Sequence, residues 1–173
     1  MRDRLAAIGA TFVESVIERN HILDTEKQIL FQAGCGLRVR EVADRMGSAL
    51  RATMTFKGKA ERGAVKSREE LETEVGDAAT TIALFGAMGF QSVLCYEKRR
   101  ETWEVGACRV ELDEPPAVGR FVEIEGPDDR SISEVRARLG LQGMVAESKS
   151  YVRMLVEYCD AQGIRPRRLS LSD

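Results

Sequence analysis

The residues with the clearest chemical content in this chain are charges spaced two apart. On an extended strand, alternate side chains project from the same face. Sorted in that way, Arg38 falls with Arg40, and Thr55 with Lys57 opposite Met54 and Phe56. Arg68, Glu70, Glu72 and Glu74 fall together, as do Lys98, Arg100 and Thr102. Arg109, Glu111 and Asp113 lie opposite Val110 and Leu112, and Glu123 and Glu125 lie opposite Val122 and Ile124. Any one of these strands describes a half-solvated antiparallel sheet. All of them together put so much charge on one face that it repels itself unless it is paired or binds something. If the sheet curls with its apolar side outward under helices, the charges line a lumen. Guanidinium forks and ammonium groups there bind phosphate oxygens. Carboxylates hold hard divalent cations, which bridge to the same phosphates. Glu123 and Glu125 suit such a cation, because no basic residue separates them on their face.

The elements that must position these residues follow from periodicity and punctuation. Residues 2–9 read as a short helix closed by Gly9, and Phe12 to Leu23, rich in Val and Ile, as a strand. Gly34-Cys35-Gly36 is a turn rather than a phosphate loop, since no Lys-Ser/Thr follows it. Leu37 to Val42, Leu50 to Lys57 and Val65 to Val75 are strands, with a polar hairpin tip over 59–63. Asp77 is placed to cap a helix over 78–88, with Gly89 past its end. Ser92 to Thr102, Gly106 to Asp113 and Gly119 to Glu125 are three more strands. Ser131 with Glu134 forms a capping box for a helix ending at Gly140. A last helix over 147–162 carries Tyr151, Leu155 and Tyr158 on one stripe and stops at Gly163. The remainder, 164–173, reads as a flexible tail. Seven strands joined mostly by short turns, with four helices, make an α+β fold on a meandering antiparallel sheet.

Composition narrows the classes. A chain of 173 residues, 43% hydrophobic and 31% charged, suits one globular domain over 1–173. A net charge of -2 argues against a nucleic-acid partner, which calls for a basic stripe. No apolar run is long enough to span a membrane and no leader pattern opens the chain, so a cytoplasmic location is expected. Cys35, Cys95, Cys108 and Cys159 form no paired spacing and His21 is the only histidine, so zinc is not expected and the thiols read as reduced. His21 reads as a surface or strand-end residue rather than a catalyst, and Trp103 as packing on the exterior of the curled sheet or at its rim.

The motifs carry a resemblance. Gly36-Leu37-Arg38-Val39-Arg40, Met54-Thr55-Phe56-Lys57-Gly58 and Ser67-Arg68-Glu69-Glu70-Leu71-Glu72 resemble, in order and spacing, the CYTH family of triphosphate-tunnel enzymes. So do Lys98-Arg99-Arg100, Val110-Glu111-Leu112-Asp113-Glu114 and, most specifically, Gly119-Arg120-Phe121-Val122-Glu123-Ile124-Glu125-Gly126, with Ser150-Tyr151 near the last helix. The similarity spans about residues 3–160 and is nearest to members of the class IV adenylate cyclase type. It implies an eight-stranded antiparallel barrel, open as a tunnel, with helices packed outside. It also implies metal-dependent processing of ATP or another organic or inorganic triphosphate. As a cyclase the protein would yield cyclic AMP and pyrophosphate. The alternatives are an inorganic or thiamine triphosphatase and a non-catalytic binding module. Matched position by position, Arg38, Arg40, Lys57, Lys98 and Arg100 are the phosphate-binding residues. Arg68 also matches, with pairing to a neighbouring Glu as its alternative. Glu123 and Glu125 match the acidic pair that holds Mg²⁺ or Mn²⁺, and Glu70, Glu72 and Asp113 match further acidic tunnel positions.

One element of the family pattern has no counterpart. The family opens with a strand bearing Glu-x-Glu-x-Lys, whereas the pattern here begins with the helix that normally follows it. Seven strands against eight leave a gap, expected beside the strand that holds Arg19, and low turnover is expected with it. The gap would be filled by a second copy, giving a homodimer, by the tail from Ile164, or covered by a helix.

Overall fold

The computed structural model describes residues 1–59 and 69–171. Arg68, most of the expected hairpin tip and the start of the strand expected from Val65 lie outside the described residues. One antiparallel sheet organises the rest. Its strands are β1 (Thr11–Thr25), β2 (Gly36–Ala43), β3 (Ala49–Lys57), β4 (Glu70–Val75), β5 (Phe90–Val105), β6 (Cys108–Glu114) and β7 (Phe121–Glu125). They lie in the order β4-β3-β2-β1-β5-β6-β7. The long central strands β1 and β5 pair from Thr11 opposite Glu104 to Thr25 opposite Phe90. β1 therefore has a neighbour on each side, and the gap expected beside Arg19 is not there. The open edges are β4 and β7, at the two ends of the order.

The helices among the described residues are α1 (Arg2–Ala7), α2 (Ile29–Gln32), α3 (Ala78–Ala87), α4 (Asp129–Arg138) and α5 (Tyr151–Gln162). Asp77 caps α3 as expected, accepting the Thr80 N–H at 2.6 Å. The cap of α4 is Asp128, which accepts the Ser131 N–H at 2.8 Å, so the helix begins before the expected Ser131 box. Glu134, free of that box, pairs with Arg130 one turn back. The one-turn helix α2 has no periodic signature. It is organised by the buried Asp24 carboxylate, which accepts the N–H groups of Thr25, Leu30 and Phe31.

Two apolar clusters cover the outward face of the sheet. Leu5, Val135 and Leu139 of the α1 and α4 region meet Val105, Cys108 and Val110 of β5 and β6, with Trp103 packed against them. Ala78 of α3 meets Leu23, Leu37 and Val39, with Met54, Phe56 and Phe85 alongside. The third cluster lies on the other face. Leu155 of α5 is fully buried against Leu94 and Tyr96, which share a strand face with Lys98 and Arg100. Burying a leucine stabilises by roughly 1.5–3 kcal/mol, enough to seat α5 over one end of the charged face. Beyond α5, where a flexible tail was expected, Arg165 and Arg167 clasp Asp160, and β8 (Arg168–Leu169) pairs parallel with Cys95 and Tyr96 of β5.

Candidate active site

Strand register carries the charged face across the sheet without a break. Lys57 and Thr55 stand opposite Glu70 and Glu72, and Arg38 and Arg40 stand opposite Thr55 and Thr53. Asn20 is opposite Arg40, and Glu18 is opposite Lys98. Arg100 is opposite Asp113, and Glu111 is opposite Glu123. Glu72 of β4 and Glu111 of β6, from distant parts of the sheet order, line one cavity of about 280 Å³ together with Glu14, Glu18, Arg40, Arg51, Arg100 and Arg109. The sheet is therefore curled around this face.

Asp113 is the centre of the site, with its side chain fully shielded from solvent. It accepts Lys98 Nζ at 2.8 Å and a fork from Arg100, Nε at 2.7 Å and Nη2 at 2.5 Å. Arg100 also reaches Glu111 at 2.6 Å, Glu123 at 3.0 Å and Glu18 at 3.8 Å. Arg40 pairs with Glu18 at 2.9 Å and donates from Nε to Asn20 Oδ1 at 3.1 Å. Buried charges persist when paired in this way. Burial alone would raise the Glu18 and Asp113 carboxyls. The cations overcome it, Lys98 and Arg100 for Glu18, and Arg100 and Lys98 for Asp113, so both are held below the usual carboxylate range. Arg100 is held above its ordinary value by Asp113 and Glu18 in spite of burial. Glu111 goes the other way. Burial pushes it up to about 7, and Asp113 and Glu125 add to the rise against the pull of Arg100.

Arg38 is the cation with an unmet need. Its Nη2 donates to Thr55 Oγ1 at 3.1 Å and lies 3.7 Å from Glu72, but its Nε is buried with no hydrogen-bond partner. Burial, then the like charge of Arg40, lowers its pKa from the ordinary value. A buried guanidinium with a free donor, next to a second one, is suited to a phosphate.

The expected residues separate into groups. Arg38, Arg40, Lys98 and Arg100 converge on the curled face. Lys57 sits toward its edge, 2.7 Å from Glu70. Of the five expected metal ligands, Asp113 and Glu123 come together with Glu111, and one carboxylate oxygen from each of the three lies within 4.8 Å of the others. Glu125 stands one step along β7, opposite Arg109. Glu70 and Glu72 are on β4, held by Lys57 and by the Thr55 hydroxyl at 2.6 Å. Glu111 and Glu18 were not among the expected ligands. Three hard oxygen donors, with no nitrogen or sulfur, suit a hard divalent cation.

A family model described as the CYTH domain matches residues 1–136. The chain belongs to the CYTH family, whose members are metal-dependent tunnel enzymes acting on triphosphates. No curated protein matches it by sequence. Its fold is similar to that of a protein from Pyrococcus horikoshii, with a TM-score of 0.77 and 23% identity over 91% of this chain and 92% of that one. It is also similar to a candidate adenylate cyclase from Vibrio parahaemolyticus, with a TM-score of 0.71 and 21% identity, covering 90% and 89% of the two chains. A third structure is a candidate adenylyl cyclase from Hippeastrum, described as having a dominant triphosphatase activity, with a TM-score of 0.71 and 17% identity over 90% and 87%. At these identities the likeness speaks for the fold alone. Among the described residues, no helix is long and apolar enough to cross a membrane.

Proposed function

We propose that this protein binds a triphosphate along Arg38, Arg40, Lys98 and Arg100, with Lys57 at the outer end, and hydrolyses it with the help of Mg²⁺ or Mn²⁺ at Glu111, Asp113 and Glu123. The observation that carries the reading is the buried network in which Arg40, Lys98 and Arg100 are held by Glu18, Glu111, Asp113 and Glu123, beside an Arg38 with an unpartnered Nε. In the ligand-free protein the cations and carboxylates neutralise each other. On binding, Arg38, Arg40 and Arg100 turn to phosphate oxygens and release carboxylate oxygens as ligands. The divalent ion, when bound, supplies neutralisation of the charge that builds on the phosphates. The guanidiniums and Lys98 hold the chain of phosphates in line, so that a water attacking the terminal phosphorus breaks its bond to the bridging oxygen and the shortened phosphate chain leaves with that oxygen.

The lining of the cavity favours hydrolysis over cyclisation. Among the described residues it is lined by charged side chains, two threonines and two valines, none of them an aromatic ring on which a base would stack. Cyclisation of ATP is the second reading. It is favoured by Phe121 and Tyr151, packed edge to face with centroids 5.1 Å apart beside Lys98. Incubation of the protein with Mn²⁺ and either tripolyphosphate or ATP decides between them. Orthophosphate from tripolyphosphate supports the first reading, and cyclic AMP with pyrophosphate from ATP supports the second. Tight tripolyphosphate binding with neither product would make the chain a binding module.

A further inference from the structure

Tyr151, the first residue of α5, stands at the metal end of the site. Its ring lies over Lys98, with Nζ 5.1 Å from the centroid, and meets Phe121 edge to face. Leu155, one turn further, anchors the helix with no solvent exposure. The Tyr151 hydroxyl is shielded from water and has no hydrogen-bond partner. A buried donor without an acceptor is destabilising, so its place in the ligand-free fold calls for an explanation. The ring stands beside the Asp113 and Glu123 carboxylates: Lys98 Nζ, against its face, is 2.8 Å from Asp113 Oδ2, and Phe121, at its edge, shares a face of β7 with Glu123. Those two carboxylates are occupied by Arg100 and Lys98.

We propose that Tyr151 is a positioning residue for the divalent cation: when Arg100 turns to phosphate and the Asp113 and Glu123 carboxylates become ligands, the Tyr151 hydroxyl donates to an oxygen of that pair that the cation leaves free. A ligating carboxylate is ordinarily fixed in this way by a donor behind it, and loss of that donor weakens metal binding roughly 10–100-fold. The ligand-free protein keeps the donor in place, with its hydrogen bond still to be made. The inference rests on the metal reading of Glu111, Asp113 and Glu123.

The test is Tyr151→Phe, which keeps the ring, the Lys98 contact and the Phe121 packing and removes only the hydroxyl. Melting without metal should be unchanged or shifted upward, because no hydrogen bond is lost. Mn²⁺ affinity by calorimetry should fall about tenfold or more, and kcat should fall more than KM changes. Equal Mn²⁺ affinity in the two proteins overturns the inference alone. So does a metal-free melting temperature well below wild type, since the hydroxyl would then be holding the ligand-free fold. If the wild-type protein binds no Mn²⁺, the metal reading falls and the inference with it.

Discussion

The proposed chemistry of the site comes down to a few buried, mutually paired side chains. Glu111 is the most informative of them. In the native protein it keeps its proton up to about pH 7, whereas its ordinary value is 4.5. The folded chain therefore binds the extra proton between those values, and this group lowers stability as pH rises through that window. Glu18 and Asp113, held below their ordinary values, act oppositely. Their stabilisation is present above the ordinary carboxylate range and is lost as pH falls through their native values. Glu111→Gln should thus melt above wild type at about pH 8 in metal-free buffer, with the difference shrinking toward about pH 5. Thermal melts of both proteins across that range check it; an unchanging difference contradicts it. Arg38 and Arg40 carry a second expectation. Replacing both with Ala should weaken tripolyphosphate binding by about tenfold or more, since hydrogen bonds to charged groups contribute roughly 1.5–3 kcal/mol each. Calorimetry at matched ionic strength separates this loss from simple screening.

Strand alternation made much of this site legible at the same scale. Arg38, Arg40, Lys98, Arg100, Asp113 and Glu123 were placed on shared faces by spacing alone, and the structure puts them on one face of the sheet. Glu18 escaped because β1 reads first as a Val/Ile-rich strand. Sorted by alternation, however, Glu14, Val16, Glu18 and Asn20 share one face, and that face is the charged one. Glu111 was visible beside Asp113, but nothing in the residue string says that β7 brings Glu123 directly opposite it.

At the scale of elements, helix ends and turns were readable wherever a local hydrogen bond defines them. Asp77 at the start of α3 and Gly163 at the end of α5, with φ at 67°, are such cases. The side of the sheet that receives α5 was not readable. Its apolar stripe states which face is buried, whereas its receptor is Ile22, Leu94 and Tyr96 on an otherwise charged face. The tail strand β8 was hidden for a related reason, since two residues of parallel pairing leave no periodic trace. The Gly-Arg-Phe-Val-Glu-Ile-Glu-Gly string has a packing reason at its last residue. A Cβ on Gly126 would stand 2.7 Å from Cys108 Sγ and 3.1 Å from Ile132 Cγ1, where α4 closes on the sheet. Gly126→Ala should destabilise by about 1–3 kcal/mol while leaving Mn²⁺ affinity near wild type. Denaturant unfolding and calorimetry together test that separation.

For the molecule as a whole, the curled sheet brings cations and carboxylates close enough to neutralise each other, and on the proposed reading ligands take their place. Neither ligand class should then bind well alone. A triphosphate that takes Arg100 leaves Glu111 and Glu123 without their cation and Asp113 with Lys98 alone. A divalent ion that takes those carboxylates leaves Arg100 and Lys98 to share Glu18. Each ligand repairs the imbalance the other creates, so their binding is coupled, and the coupling is reciprocal. The most direct test is calorimetric titration of tripolyphosphate into the protein with and without Mn²⁺, corrected for association of the two in solution. Affinity is expected to rise at least about fivefold when Mn²⁺ is present, and Mn²⁺ affinity is expected to rise by the same factor when tripolyphosphate is present. Equal tripolyphosphate affinity with and without the metal would contradict the account.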